Sequence, residues 1–180
     1  GWKNYPYDYY NIWVKNSGEE PFMEEPTLEI LTKDYNVIIF KHCYPVSRMV
    51  ADIGNPNIDS EIKSLENYKL QYVALKEKMQ EFPENKFIVW TPAVNTKANM
   101  TEEEAIRAKE FHSWLINDWD ETGDNIFLWD FYEYETEGGL YLTEKNAYSP
   151  LNSHPSIEFS GKVAPLFSKF IIDVINNNVD

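Results

Sequence analysis

Two of the three histidines of this chain lie in segments that are suited to acid–base chemistry. His154 stands between Ser153 and Pro155, where a restricted backbone leads into a predicted helix. An imidazole titrates near neutral pH, as a general base must. This position favours His154 as a catalytic or binding residue; the alternative is a loop histidine that caps the following helix.

His42 and Cys43 form a second candidate group, at the end of a predicted strand. A Cys43 thiolate activated by His154 would be a nucleophile, whereas a cysteine at a strand end is more often a small buried hydrophobe. Asp130 follows another predicted strand and either orients a base or caps the next turn. His112 lies inside a predicted helix, which is typical of a solvated or core-edge residue.

These residues are far apart in sequence, and the elements that must position them alternate between strand and helix after residue 35. Short apolar runs at 36–43, 86–91 and 125–130 predict strands that are buried on both faces. Apolar stripes predict helices over about 59–81, after a capping box at Thr101–Glu104, and after Pro155. Strands separated by helices pair in parallel through right-handed crossovers, so we expect a three-layer αβα sandwich.

An open parallel sheet binds its ligands beyond the carboxyl ends of the strands. Lys41, His42 and Cys43 follow the first predicted strand, and a predicted loop over 149–156 carries His154 to the same edge. We therefore expect these side chains to surround one pocket. The acidic runs at 102–104 and 133–137 are typical of solvated faces.

The length of the chain predicts one domain over residues 1–180, with α/β core 36–180. Residues 1–35 are rich in aromatic residues and lack clean periodicity, which predicts an irregular wrap with a short helix near 28–31. Three strands alone would leave an exposed sheet edge, and such an edge offers a route to oligomerisation.

Composition excludes several classes of protein. Sixteen Lys and Arg against thirty Asp and Glu give a net charge of −14, which disfavours nucleic acid and anionic membranes as partners. The single cysteine excludes an internal disulfide and a multi-thiolate zinc site. We find no membrane span, signal peptide or glycine-rich phosphate loop, and we expect no metal or cofactor. A mature secreted protein and a cytoplasmic one both fit these features.

Four segments of the chain resemble the SGNH (GDSL-type) hydrolases, a family of esterases and carbohydrate deacetylases with a flavodoxin-like sandwich. The resemblance covers about residues 34–175, and its segments are 34–43, 82–92, 125–130 and the element Ser153-His-Pro-Ser156 with Gly161 beyond it. It implies an ester substrate, either a small molecule or an O-acylated carbohydrate. It also implies His154 as the base, Asn152 as its orienting partner, and a pocket or oxyanion region at Lys41, His42 and Cys43.

The chain departs from the pattern of this family in three places. We find no Gly-Asp-Ser nucleophile block, and the nearest candidate serine is Ser17; an upstream strand carrying the serine would explain the difference. Residues 41–43 stand where the family has glycine and asparagine, and Leu151 stands where it has the acid. Two hypotheses follow: a hydrolase with an unconventional or missing nucleophile, and a non-catalytic domain of the same fold that binds a glycan or a protein partner.

Overall fold

Three parallel strands form the centre of the computed structural model, which describes residues 2–179. β1 (Val37–Phe40), β2 (Lys86–Trp90) and β3 (Ile126–Trp129) pair in the order β1-β2-β3. In the register of this sheet, Ile38 pairs with Phe87 and Ile88 pairs with Phe127. The predictions of a mixed α/β fold and of a parallel sheet are therefore confirmed, although each strand is shorter than the apolar run that predicted it.

Six α-helices accompany this sheet along residues 2–179. They are α1 (Pro6–Tyr10, continued by a π-helical turn at Asn11–Lys15), α2 (Leu28–Asp34), α3 (Leu65–Gln80), α4 (Glu102–Trp114, continued by a π-helical turn at Leu115–Trp119), α5 (Phe131–Thr136) and α6 (Ile157–Ile175). Side chains alternate across a strand, so Phe87 and Val89 of β2 join a core with Tyr72 of α3 and Phe111 of α4. Ile88, on the opposite face, packs in a smaller core with residues of α6.

Helix capping explains where two of the predicted helices begin. α3 starts at Leu65 rather than near residue 59, because the Ser64 hydroxyl accepts a hydrogen bond from the Asn67 amide. The predicted capping box is confirmed in α4: the Thr101 hydroxyl accepts from the Glu104 amide, and the Glu104 carboxylate accepts from the Thr101 amide.

The loop predicted over 149–156 is wrong in part, because most of it is a β-hairpin. β4 (Ala147–Ser149) pairs antiparallel with β5 (Asn152–Pro155), and a two-residue turn joins them. Such a short, polar and proline-containing hairpin lacks the β-branched residues that predict a strand. Its consequence is that His154 is held on a strand rather than on a loop.

The N-terminal segment is more regular than the wrap predicted for residues 1–35. It contains α1 and α2, and α2 confirms the helix predicted near residues 28–31. Tyr9 and Trp13 pack their rings 4.9 Å and 5.1 Å from the ring of Phe40, at the end of β1. None of the helices within residues 2–179 combines the length and the apolar character needed to cross a membrane.

Candidate functional site

A cavity of about 330 Å³ lies beyond the carboxyl ends of β1 and β2, where a parallel sheet binds ligands. Aromatic rings and small side chains, among them the hydroxyl-bearing Ser153, Ser160 and Ser168, line most of its surface, and four further residues bring an amine, a thiol, a carboxyl and an imidazole. These four are Lys41, Cys43, Glu135 and His154. The structure thus brings three of the predicted site residues to one cavity and adds Glu135, which the sequence did not suggest.

The hairpin fixes the orientation and the tautomer of His154. The Oδ1 atom of Asn152 accepts a hydrogen bond from the backbone N–H of His154 at 3.1 Å, and it lies 2.7 Å from Nδ1 of the same residue. An atom that already accepts from an N–H must also be the acceptor at Nδ1, so Nδ1 carries the proton. Nε2 of the neutral imidazole is then the basic nitrogen.

The segment after β1 forms the wall opposite His154. The rings of Tyr44 and His154 meet edge to face, with 5.0 Å between the two centroids. Cys43 is half-buried, and its carbonyl accepts from the Val46 amide in the short 3₁₀ turn that follows. The Lys41 ammonium lies 5.9 Å from the centroid of the Trp90 ring, which places a positive charge beside the apolar wall.

His42 faces away from this cavity, although both of its neighbours in sequence line it. Its side chain is 2% exposed and packs among Tyr9, Phe40 and Tyr72, and Nδ1 lies 3.1 Å from the carbonyl of Asn4. Burial, assisted by the charge of Lys41, lowers the pKa of His42 to about 3. His42 is therefore a neutral core residue, separated from Lys41 and Cys43 because successive side chains of extended chain point to opposite sides.

Glu135 corrects the prediction that residues 133–137 form a solvated face. Its side chain is completely buried, and its Oε2 accepts from the Val94 amide at 2.8 Å. Oε1 has no hydrogen-bond partner among residues 2–179. Burial raises the pKa of Glu135 to about 8, against the smaller opposing effects of the Val94 amide and of Lys41. The carboxyl is therefore largely protonated at neutral pH, and it lines the cavity as a neutral group.

The sequence contains a signal that could have identified Glu135. Phe131 stands four residues earlier in α5 and is itself buried in the cavity wall, and residues four apart share one face of a helix. Glu133, by contrast, is exposed and lies on a different face. Acidic and aromatic residues alternate in this segment, so the shared face of Phe131 and Glu135 is not obvious from the sequence.

Ser17 is not brought to the cavity. It is exposed, directly after the π-helical turn that continues α1, and it belongs to neither the lining of the cavity nor the segment around His154. Cys43 is the one residue among the predicted nucleophiles that shares the cavity with His154.

Asp130 forms a separate polar cluster at the ends of β2 and β3. Its Oδ1 lies 2.8 Å from Nε2 of His112, accepts from the Thr91 hydroxyl at 3.1 Å, and caps α5 by accepting from the Glu133 amide. The ring of Tyr132 stacks on His112 with 4.3 Å between centroids. The predicted capping role of Asp130 is thus confirmed, and His112 is a core-edge residue bound to it.

Comparison of the chain with protein-family models, with curated proteins and with solved structures found no match. Within residues 2–179, no three His, Cys, Asp or Glu side chains are grouped so as to hold a metal ion. The chemistry of this site therefore has to be inferred from the cavity itself.

Proposed function

We propose that this chain is an SGNH-like ester hydrolase, built on a three-layer αβα sandwich, with His154 as its general base. The observation that carries the proposal is the His154–Asn152 pair at the edge of an apolar cavity beyond the carboxyl ends of the parallel strands. Fold alone does not define activity, whereas this pair supplies a base beside a site for a substrate.

A histidine can act as a general base only through a ring nitrogen that carries no proton. Asn152 holds the proton on Nδ1, so Nε2 is available to take a proton from an attacking group. Asparagine orients the ring but cannot stabilise the imidazolium as a carboxylate would, and the equivalent loss in a Ser-His-Asp triad lowers turnover about 10⁴-fold. We therefore expect a slow hydrolase.

The lining of the cavity suggests the class of substrate. The rings of Trp90, Phe131, Phe159 and Phe167 offer an apolar surface for an aryl or short alkyl group. Lys41 is the one lysine or arginine in the lining of this cavity, and its ammonium suits a carbonyl oxygen that gains negative charge in the transition state. An ester with an apolar acyl or aryl part fits both features.

Hydrolysis of p-nitrophenyl butyrate tests this proposal. We expect His154→Gln to lower kcat/KM by at least about 100-fold, because a positioned base contributes about 10²–10⁴-fold. His112→Gln is the matched control: it removes an imidazole from the Asp130 cluster and should leave the rate within about threefold. Equal rates for the wild type and His154→Gln would refute the proposal.

The attacking group is decided in the same assay. Cys43 carries the only thiol of the chain and lines the cavity with His154. If its thiolate attacks the ester carbonyl, a thioester forms, the alcohol leaves with the proton from His154, and water then releases the acid. Cys43→Ala would abolish thioester formation and turnover, whereas an unchanged rate would assign the attack to water or to a hydroxyl.

One observation favours a second candidate function, a non-catalytic binding domain for a glycan or a protein. Among residues 2–179, the His154 side chain hydrogen-bonds to Asn152 and forms no hydrogen bond with a hydroxyl or a thiol. The variant Asn152→Asp separates the two functions. In a hydrolase it should raise kcat by at least about tenfold through stabilisation of the imidazolium, and in a binding domain it should produce no turnover.

A further inference from the structure

A second cavity, of about 210 Å³, lies in the N-terminal part of the molecule and shares no residue with the cavity at His154. It opens between α1 with its π-helical turn, the segment before α2, and α2 itself. Its lining residues are Trp2, Asn4, Asp8, Tyr9, Ile12, Trp13, Glu25, Pro26 and Leu31. The volume is below the roughly 300–1,000 Å³ of drug-sized pockets, so its ligand must be small.

Aromatic rings make up much of this second cavity. The rings of Tyr9 and Trp13 meet edge to face with 4.9 Å between centroids, and Trp2 contributes a third ring. The Trp13 indole N–H donates to the carbonyl of Pro26 at 3.3 Å, which fixes that ring in the wall. The faces of aromatic rings carry partial negative charge and attract cations.

Two carboxylates add formal negative charge to the same wall. Oδ2 of Asp8 accepts from the backbone N–H groups of Lys3 at 2.7 Å and Tyr5 at 3.0 Å, which holds the side chain in place. Within residues 2–179, no lysine or arginine forms an ion pair with Asp8 or Glu25. Burial, with added repulsion from the Asp8 and Glu25 carboxylates, raises the pKa of Tyr9 to about 12. The two carboxylates therefore lie close enough to the Tyr9 hydroxyl to act on it electrostatically.

We propose that this second cavity binds a small organic cation with a methylated ammonium group, of the size of choline. Three aromatic side chains and two carboxylates without a basic side-chain partner provide the quadrupole and the charge that such a cation needs. Ca²⁺ or Mg²⁺ would need six or more oxygen ligands, and indole rings cannot supply them. The proposal is independent of the proposed hydrolase function.

Quenching of intrinsic tryptophan fluorescence by choline chloride, at fixed ionic strength, tests this proposal. The matched ligand is 3,3-dimethylbutan-1-ol, which has the same shape without the charge. A cation–π contribution corresponds to about 2–30-fold in affinity, so we expect choline to saturate the signal at a concentration at least about fivefold lower than the alcohol. Equal affinities, or no saturation by choline, would overturn the proposal.

Variants at the rim keep the test independent of folding. Glu25→Gln removes a charge from the cavity and should weaken choline binding by at least about threefold. Glu20→Gln is the control: it makes the same change in net charge at an exposed side chain outside the cavity, and it should leave the affinity unchanged. Circular dichroism melting curves verify that the variants are folded. An equal loss of affinity in both would show that choline responds only to net charge.

Discussion

The His154 cavity and the Asp130 cluster lie at the same edge of the parallel sheet. They differ in whether their buried polar groups have hydrogen-bond partners. In the Asp130 cluster, one carboxylate oxygen has three hydrogen-bond partners, and the Thr91 hydroxyl both donates to it and accepts from the Tyr132 amide. In the cavity, Oε1 of Glu135 and the indole N–H of Trp90 are buried without a partner among residues 2–179.

This difference distinguishes polar groups that stabilise the fold from polar groups that are available to a ligand. A buried polar group with partners contributes to folding, whereas one without partners costs about 1–3 kcal/mol and persists where something else gains from it. The Asp130 cluster, in spite of its histidine–carboxylate pair, is therefore a structural device that ties α4 to the end of β3. The unpartnered groups of Glu135 and Trp90 lie in the cavity, where a ligand would bind.

The largest expected effect concerns Glu135. Its pKa is about 8 in the folded chain and 4.5 in its ordinary state, so the folded form holds the proton more tightly. Stability is then full below about pH 4.5 and falls as pH rises towards 8. Glutamine does not titrate, so Glu135→Gln removes this pH-dependent loss of stability. Between pH 5 and pH 8, we expect the free energy of unfolding of the variant to rise by about 3 kcal/mol relative to that of the wild type.

Urea denaturation at pH 5 and pH 8 measures this gain, and Glu133→Gln is the control. Glu133 belongs to the same helix but is exposed, so its variant should follow the pH dependence of the wild type. If Glu135→Gln also follows the wild type, the carboxyl is ionised at neutral pH, and the cavity holds a negative charge rather than a neutral donor.

A smaller effect, about 2 kcal/mol of destabilisation, is expected from Thr91→Val in the Asp130 cluster. The Thr91 side chain is buried, and valine keeps its shape but leaves the Tyr132 amide without its acceptor. Thr136→Val is the matched control, because the Thr136 hydroxyl is buried without a partner and its loss should cost nothing. Equal destabilisation of the two variants in thermal melts would mean that the cluster hydrogen bonds do not stabilise the fold.

Sequence patterns predicted the elements whose signals are local. Runs of β-branched and aromatic residues identified the three central strands, and Thr101 with Glu104 identified the start of α4, because each signal depends on neighbouring residues alone. The hairpin that carries His154 gave no such signal, since its strands have three and four residues and its polar groups bond to distant partners. The Ser153 hydroxyl, for example, accepts from the amide of Thr96.

The candidate site was predictable only in outline. The position of His154 at the sheet edge followed from strand order, but the division of residues 41–43 between cavity and core did not. His42 and Cys43 differ by one position, and the strand direction that sends His42 towards Tyr72 is set by packing against α1 and α3. The burial of Glu135 likewise depends on contact with Val94, 41 residues away.

The smallest expected effect, at most about 1 kcal/mol of destabilisation at pH 7, follows from Asp130→Asn, because the side chain is 36% exposed and solvent screens its charge. Burial opposes ionisation of Asp130, but the hydrogen bond and charge of His112 more than offset it, so the pKa lies below its ordinary 3.8. A lowered carboxyl pKa stabilises the fold above about pH 4, and this contribution is lost as pH falls through the folded value. Asparagine loses the charge but keeps an acceptor for the Glu133 amide, so the expected destabilisation is modest.

Urea denaturation at pH 7 and pH 3 measures this difference, with the exposed and unpartnered Asp118→Asn as control. The gap in unfolding free energy between the wild type and Asp130→Asn should narrow at pH 3, because this pH lies below the ordinary carboxyl pKa of 3.8 and the unfolded wild type then takes up its proton. A gap of equal size at both pH values would mean that the Asp130 cluster depends on shape and hydrogen-bond count rather than on charge. The Asp130 cluster would then differ from the His154 cavity only in the number of hydrogen-bond partners of its polar groups.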